Sequence, residues 1–332
     1  MMKQTTFLAA GVGLAISTMS ASAESMRLEW FVQGQFAGPI VALEKGYYNE
    51  AGVDLELLPA GPDIKPSVTV ASGADTFGLG HPNQIISARA NSAPLIMIAQ
   101  FGQKSSSTYI ARKDSGINSI EDMRGRSVGL WFGGDEQEFI AMLDRAGIPQ
   151  SDVKIVSQGY DIVSWLNKDY DVMQVARYNE LLQVYRQGYK KEDLVFLEPS
   201  ADSMMVSGGL FTTEKQIKEH PDVVQAVVNA TLRGWQDAIA DPEGAAEIVV
   251  KHNTELKVDE QVDQIKAMGD LFCAGPTLNG EFGKSELKNY EVAEKILIGA
   301  KLIDQTIDLP QAFTNEFWEK APAEYKTIKC ES

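Results

Sequence analysis

Cysteine and histidine are scarce in this sequence of 332 residues. The chain has two cysteines and three histidines: Cys273, Cys330, His81, His220 and His252. It contains no C-x-x-C, H-E-x-x-H or G-x-S-x-G motif, which are the spacings of common redox, zinc and serine-nucleophile sites. We therefore expect no metal, no cofactor and no catalytic centre of these kinds.

Nucleotides and nucleic acids are poorly matched as partners. Residues 279–285 read NGEFGKS, but the phosphate-loop pattern G-x-x-x-x-G-K-[ST] needs a glycine where the chain has Leu278. Basic residues are also outnumbered, and the formal net charge of −16 disfavours binding to nucleic acid or to anionic membrane surfaces.

Long apolar runs are missing beyond the N-terminal segment, and none approaches the ~18 residues of a membrane-spanning helix. The N-terminal segment itself combines Lys3, an apolar run over residues 7–16 and the small residues Ala21-Ser22-Ala23. This order predicts a signal peptide, residues 1–23, that is cleaved after Ala23. We therefore expect an exported protein.

Both cysteines would remain in the exported chain. An even number of cysteines in such a protein predicts a disulfide between Cys273 and Cys330, with two unpaired thiols as the alternative. The bridge would tie the C-terminal tail to the body of the protein.

Short apolar strand patterns alternate with helical patterns along most of the chain. RLEWFV, residues 27–32, is the first predicted strand, and a β-α-β-α-β order follows to about residue 100 and repeats after about residue 116. This order predicts open α/β sheets with parallel strands. After Thr213 helical spacing takes over, so this part should pack on a sheet built earlier.

Two lobes are the simplest arrangement of these segments. Residues 26–111 and 208–332 would form lobe 1, and the inserted residues 112–207 would form lobe 2, with two strands crossing between them. Lobes joined in this way can move as a hinge, and ligands of such folds bind in the cleft at the carboxyl ends of the strands.

The stretch WFGGDEQEF, residues 131–139, lies where a strand of the second unit should end. Its acids would repel a phosphate from the start of the following helix. We interpret Asp135 as the N-cap and Glu138 as its partner in a capping box. The residues left to face the cleft are Trp131, Gly133, Gly134 and Glu136.

Other candidate residues follow further predicted strands. His81 is interpreted as a donor that lines the cleft rather than as a catalytic base. In ARYNEL, residues 176–181, Asn179 is interpreted as a helix cap and Glu180 as an acceptor for a ligand amine. Aromatic residues at strand ends favour a stacking site for a flat ring over a purely structural role. They are Trp30, Phe31, Phe101, Trp131, Phe132, Tyr160 and Tyr178.

Several phrases resemble the periplasmic solute-binding proteins of ABC importers. They are FAGPIVALEKGYYNEAGVDLELLPAG, VASGADTFGLG, IEDMRGRSVGLWFGGDEQEF and ARYNE, and the resemblance runs over about residues 28–300. The sequence is most similar to the branch that binds thiamine pyrimidine precursors, which is related to the yeast pyrimidine-precursor synthase. The wider superfamily also takes up sulfonates, nitrate and riboflavin.

This resemblance implies a type II periplasmic binding fold without catalysis, in a monomer that delivers a small molecule to ABC permease subunits in the inner membrane. By the same resemblance, Trp30, Trp131 and Tyr178 would stack on the pyrimidine. Glu180 would accept a hydrogen bond from its amino group. The remaining expected ligand residues are Gln33, Phe36, His81, Gly133, Gly134, Glu136, Tyr160 and Asn179. The chain departs from the synthase pattern, since it lacks the Cys-rich motif and the early histidine.

An acidic and aromatic cleft favours a neutral or cationic ring with N–H donors over sulfonate, nitrate or phosphate. The leading hypothesis is therefore a binding protein for an aminopyrimidine-like heterocycle. The first alternative is a binding protein for riboflavin, another N-heterocycle or a sulfonate- or nitrate-type solute. The second is an enzyme that builds or cleaves a pyrimidine ring.

Overall fold

A computed structural model describes residues 23–330 and shows two mixed α/β lobes. The expected signal peptide, apart from Ala23, lies outside these residues. Among residues 23–330, none of the helices combines the length and the apolar character needed to cross a bilayer.

Each lobe contains one five-stranded sheet. The strands are β1 Glu24–Arg27, β2 Leu55–Leu58, β3 Phe77–Gly80, β4 Leu95–Gln100, β5 Ser107–Arg112, β6 Ser127–Leu130, β7 Lys154–Ser157, β8 Val172–Ala176, β9 Leu194–Leu197 and β10 Gly209–Thr213. Lobe 1 has the order β2-β1-β3-β10-β4, and lobe 2 has the order β7-β6-β8-β5-β9. Strands β5 and β10 run antiparallel to both of their neighbours, and each is the first strand after the chain has changed lobes.

Helices cover the faces of both sheets. They are α1 Ala37–Glu44, α2 Tyr47–Glu50, α3 Pro66–Ala71, α4 Pro82–Ala90, α5 Gln137–Arg145, α6 Val163–Leu166, α7 Glu180–Arg186, α8 Glu214–Glu219, α9 Pro221–Ala240, α10 Pro242–His252, α11 Val258–Phe272, α12 Leu287–Gly299 and α13 Glu316–Lys320. The predicted long helix is confirmed as α9, with Pro221 in its first turn. It packs closely on α1, because a Cβ at Gly38 would lie 2.3 Å from the ring of Trp235.

Two segments, residues 101–106 and 198–208, carry the chain between the lobes and are called the crossing segments below. They run side by side. Ser207 N donates to Lys104 O at 3.2 Å, and Gln100 Nε2 donates to Ser207 O at 2.9 Å. The approach is so close at Gly102 that a Cβ there would lie 1.8 Å from Ser207 O. The two connections therefore form one joint.

Three expectations about strands need correction. Strand β1 ends at Arg27, so the predicted strand over residues 27–32 is wrong, and this segment instead turns Trp30 toward the other lobe. Strand β9 was not predicted. The lobe boundary expected after residue 111 runs through β5, which pairs along its whole length in the second sheet, so the first crossing comes before residue 107.

A disulfide joins Cys273 to Cys330, with 5.6 Å between their Cα atoms. Cys273 directly follows α11, and Leu271 O near the end of that helix accepts a hydrogen bond from Gln103 N at 3.0 Å. The C-terminal tail and the first crossing segment are therefore fastened to the same helix end.

Candidate functional site

The loop of residues 131–136 follows β6 and is held from beneath by Gln174. It is called the ligand loop below because its residues were expected to bind ligand. The fully buried side chain of Gln174, on β8, accepts a hydrogen bond from Trp131 N at 3.0 Å and donates one to Asp135 O at 2.9 Å. Both ends of the loop are thus fixed to the central part of the second sheet.

The glycines of this loop are held by an acid of the same loop. Glu136 Oε2 accepts hydrogen bonds from Gly133 N at 3.1 Å and from Gly134 N at 2.8 Å. The two glycines have φ angles of 114° and 135°, a conformation that residues with a Cβ rarely adopt. Glu136 therefore shapes the loop, and its carboxylate is already engaged by backbone donors.

Glu138 does not form the predicted capping box. Its side chain is 2% exposed, and its two oxygens bind both crossing segments: Oε2 accepts from Ser105 Oγ at 2.7 Å and Oε1 from Met205 N at 2.8 Å. Burial raises its pKa to about 7. The capping prediction is wrong because α5 begins at Gln137, which turns the carboxylate of Glu138 inward.

Aromatic rings from both lobes meet in the cleft. The ring centroids of Trp30 in lobe 1 and Tyr160 in lobe 2 are 4.7 Å apart. Tyr160 also lies almost parallel to Trp131, at 6.4 Å and 11°. Phe31, Phe132 and Tyr160 are exposed, which extends the aromatic surface toward solvent. The cleft therefore offers faces on which a planar ring can stack.

His81 is placed at the base of the cleft by two hydrogen bonds. Its Nε2 lies 2.9 Å from Glu29 Oε1, and its Nδ1 accepts a hydrogen bond from Gly208 N at 3.0 Å. Burial lowers the pKa of His81, but Glu29, with Asp135 and Glu138 nearby, outweighs this effect and raises it to about 9. A second proton would place Nδ1–H against the N–H of Gly208, so this hydrogen bond opposes the charged ring that Glu29 favours.

Two acids of this site, Glu29 and Asp135, were not among the residues expected to bind ligand. Asp135 is exposed by its surface area, yet protein from both lobes surrounds its carboxylate, and the resulting loss of hydration raises its pKa to about 6. The charge of Glu29 raises that pKa further and His81 lowers it. The sequence did not indicate Glu29 as a ligand residue because it lay in the wrongly predicted strand. Asp135 was interpreted as a helix cap instead.

The segment before α7 has a different environment. Glu180 is 4% exposed, and its oxygens accept from Ala176 N at 3.0 Å and from Asn179 Nδ2 at 2.7 Å. Burial raises its pKa to about 7. Asn179 Oδ1 accepts from Gln264 Nε2 of lobe 1 at 3.3 Å, and Tyr178 packs against the core of lobe 1. Glu180 is therefore turned inward, away from the place where it was expected to accept from an amine.

Two further residues of the expected set lie near the N-terminal end of α1. Gln33 reaches the same region as Asn179, because Gln264 Nε2 also lies 3.4 Å from Gln33 Oε1. Phe36 is instead 2% exposed and belongs to the core of lobe 1, so the structure does not bring it into the cleft.

Residues 33–245, more than half of the chain, match the family described as NMT1/THI5 like. Curated relatives cover most of the chain at low identity. A riboflavin-binding protein of Chloroflexus aurantiacus is 23% identical over 85% of this chain and 82% of its own length. A formylaminopyrimidine-binding protein of Halalkalibacterium halodurans is 21% identical over 87% and 88%. A 4-amino-5-hydroxymethyl-2-methylpyrimidine phosphate synthase of Legionella pneumophila is 24% identical over 96% and 99%.

Solved structures share the two-lobed architecture. The periplasmic aliphatic sulphonate-binding protein of Escherichia coli superposes with a TM-score of 0.70 at 12% identity, over 94% of this chain and 96% of that one. The periplasmic nitrate-binding protein of Synechocystis gives 0.69 at 12% identity, over 92% and 91%. The expected periplasmic binding protein fold is thereby confirmed, and the chain belongs to the NMT1/THI5-like family.

Proposed function

We propose that this protein is the solute-binding subunit of an ABC importer and that it captures a flat, neutral or cationic N-heterocycle of the aminopyrimidine type. The observation that carries the proposal is the meeting of aromatic rings from both lobes beside two acids. Trp30 and Tyr160 are 4.7 Å apart, and Glu29 and Asp135 lie around His81.

Each part of this arrangement suits such a ligand. The aromatic rings provide stacking surfaces, and the carboxylates accept hydrogen bonds from ring N–H and amino groups. None of the cleft side chains described above is a lysine or an arginine. The nearby Arg177 donates to Ser105 O at 3.2 Å and is paired with Glu198. An anionic sulfonate or nitrate would therefore meet like charge, whereas a relative named for formylaminopyrimidine binding supports the heterocycle.

The proposed mechanism is closure of the two lobes on the ligand by bending at the crossing segments. Two pairs of polar side chains already join the lobes. Arg186 Nη2 donates to Asp263 Oδ2 at 2.6 Å, and Asn83 Nδ2 lies 3.5 Å from Gln137 Oε1. Closure of this kind would present one defined surface to a permease.

The setting we propose is the periplasm, with the protein as a monomer. Relatives in structure that are named as periplasmic binding proteins support this placement, together with the predicted signal peptide. Fractionation of cells and N-terminal sequencing of the mature protein would test it, with Glu24 expected as the first residue.

Riboflavin is the second candidate ligand. The exposed rings of Phe31 and Phe132 extend the stacking surface beyond the size of one pyrimidine, and a curated relative is named for riboflavin binding. We place it second because the acids close to His81 match amino and ring N–H donors more closely than a flavin, whose ring edge is rich in carbonyl oxygens.

Catalysis is not part of the proposal, although some curated relatives are named as pyrimidine phosphate synthases. Glu29 and His81 bond each other, Glu136 accepts from the backbone of its own loop, and the hydroxyl of Ser105 donates to Glu138 rather than to the histidine. Incubation of the purified protein with candidate precursors, followed by mass spectrometry, should show unchanged compounds. New products would support the enzyme hypothesis instead.

A thermal-shift screen of residues 24–332, refolded to remove any bound solute, tests the ligand class. The panel contains aminopyrimidines, thiamine, riboflavin, taurine and nitrate. A ligand at 100 times its Kd stabilises the native state by about 2.7 kcal/mol, which raises the melting temperature measurably. We expect a shift with an aminopyrimidine and none with the anions, and a shift with taurine or nitrate alone would contradict the proposed ligand class.

A further inference from the structure

We infer that Glu138 is a positioning residue that couples the ligand loop to both crossing segments and links closure of the lobes to uptake of a proton. This inference rests on the proposed closure around a ligand. It concerns the joint itself, and it can be tested without any ligand.

The carboxylate of Glu138 is the point at which three parts of the chain meet. Ser105 belongs to the first crossing segment and Met205 to the second, and each donates to a different oxygen, at 2.7 Å and 2.8 Å. Glu138 itself lies in the first turn of α5, directly after the ligand loop. A change in the bend of either segment therefore moves a donor away from this carboxylate or pulls on α5.

The position of Glu138 in the sequence connects the crossing segments with the ligand loop. Asp135 and Trp131 lie only three and seven positions before it, and the loop between them is fixed to the sheet by Gln174. A short rigid helix start thus connects the side chains proposed to meet the ligand with the joint on which the lobes turn.

Charged and titratable groups face Glu138 from several elements. Arg177 after β8 favours its ionised form, and Glu198 at the start of the second crossing segment opposes it. His81 of lobe 1 and Tyr109 of β5 also feel its charge. Burial is the largest influence and places the pKa of Glu138 at about 7 in this structure, in which side chains of the two lobes touch.

The direction of the coupling follows from that burial. When the lobes open, water reaches the carboxylate and lowers its pKa toward the ordinary value of 4.5. The donors on the crossing segments also shift, which raises the pKa, but burial is the larger influence and the net change on opening is a fall. The closed form then binds more protons than the open form between these pKa values. Closure is therefore favoured at low pH, and the closing equilibrium constant should fall about tenfold between pH 6 and pH 8.

The first experiment measures lobe separation in the unliganded protein. Spin labels are attached at Ser72→Cys in lobe 1 and Asn167→Cys in lobe 2, both exposed positions, and distance distributions are recorded from pH 5.5 to 8.5. We expect the closed population to decrease with rising pH. Glu138→Gln keeps the shape of the side chain but has no charge, so the contribution of Glu138, about a tenfold fall in the closing equilibrium constant between pH 6 and pH 8, should be lost.

The matched control is Glu294→Gln. Glu294 is also buried and accepts a backbone hydrogen bond, from Ile307 N at 2.7 Å, but both groups lie in lobe 1. Its substitution should leave the pH dependence of closure as in the parent protein. Because Asp135 and Glu180 also have raised pKa values, the decisive quantity is the difference between the parent and Glu138→Gln.

A second variant, Ser105→Ala, tests the same coupling even if Glu138→Gln fails to fold. Ser105→Ala removes a hydrogen bond that lowers the pKa of Glu138. The pH step, which is the fall of the closed population with rising pH, should therefore move to higher pH. A pH step that is the same in the parent, Glu138→Gln and Ser105→Ala would overturn the inference. Failure of every compound in the ligand screen would count against the proposed function alone, because these distances are measured without ligand.

Discussion

Helices α5 and α7 begin in similar ways and serve different purposes. Each follows a strand of the second sheet, and each has a glutamate in its first turn that is almost completely buried, with a pKa raised to about 7. Glu138 binds residues 33 and 67 positions away, on the two crossing segments. Glu180 binds Ala176 and Asn179, its own neighbours. The same local pattern therefore produces a long-range tie in one case and a local turn in the other.

The aromatic residues that precede the two helices also differ in their surroundings. Trp131 and Phe132 lie on the ligand loop before α5, and Phe132 is exposed. Tyr178, before α7, packs against the core of lobe 1. We conclude that the start of α5 combines ligand contact with the joint, whereas the start of α7 docks one lobe on the other. The predictions below test this distinction.

The largest expected effect comes from removing the two carboxylates. Glu138→Ala leaves the partly buried N–H of Met205 and the buried hydroxyl of Ser105 without their acceptor, and each such loss costs about 1–3 kcal/mol. Glu180→Ala leaves only the N–H of Ala176 without an acceptor, because the partly exposed side chain of Asn179 can bind water instead. Urea unfolding should show a loss of about 3 kcal/mol for Glu138→Ala and about half of that for Glu180→Ala. Equal losses would remove the distinction between the two sites.

The pH dependence of stability should instead be alike for both glutamates. Each has a native pKa of about 7 against an ordinary value of 4.5, so the native state binds more protons than the unfolded state between these values. Stability then falls as pH rises through this window and levels off above about 7. At pH 8, Glu138→Gln and Glu180→Gln should each exceed the parent by up to about 2 kcal/mol, and the gain should vanish near pH 4.5.

Glu138→Gln and Glu180→Gln should differ in lobe closure, although they change the pH dependence of stability in the same way. Both neutral variants should flatten the stability profile in urea unfolding, but only Glu138→Gln should change the distance between the lobes. A change in closure for Glu180→Gln of the same size would show that burial of a charge, rather than its bonds to the crossing segments, governs the joint.

The aromatic residues are expected to separate ligand affinity from stability. Trp131→Ala removes a stacking face, and aromatic pairs contribute about 0.5–1.5 kcal/mol beyond the area they bury. Calorimetry with the compound found in the screen should show a Kd about tenfold higher, with unfolding changed by less than about 0.5 kcal/mol. Tyr178→Ala should do the reverse and lower stability by about 2 kcal/mol, since its ring packs against the core of lobe 1. Trp131→Phe is the control, because it keeps an aromatic face on which the ligand can stack.

The sequence predicted the elements with clear periodicity and missed features that depend on distant partners. The apolar strands FGLG and SVGL and the helical spacing of Val224, Val227 and Val228 were interpreted correctly, because burial on one face leaves a local pattern. The role of Glu138 could not be recognised, because a capping motif describes only four neighbouring residues. Its actual partners, Ser105 and Met205, become neighbours only after the lobes have formed.

The smallest expected effect distinguishes the two candidate ligands at the edge of the ligand loop. Phe132 is exposed and is not part of the stacked pair of Trp131 and Tyr160, so a single pyrimidine ring that stacks on this pair would gain little from it. A three-ring flavin would extend over it. Phe132→Ala should therefore change the Kd of an aminopyrimidine by less than about twofold and raise that of riboflavin about threefold to fivefold. A loss of aminopyrimidine affinity as large as that of Trp131→Ala would mean that the ligand lies farther out in the cleft than the acids around His81 indicate.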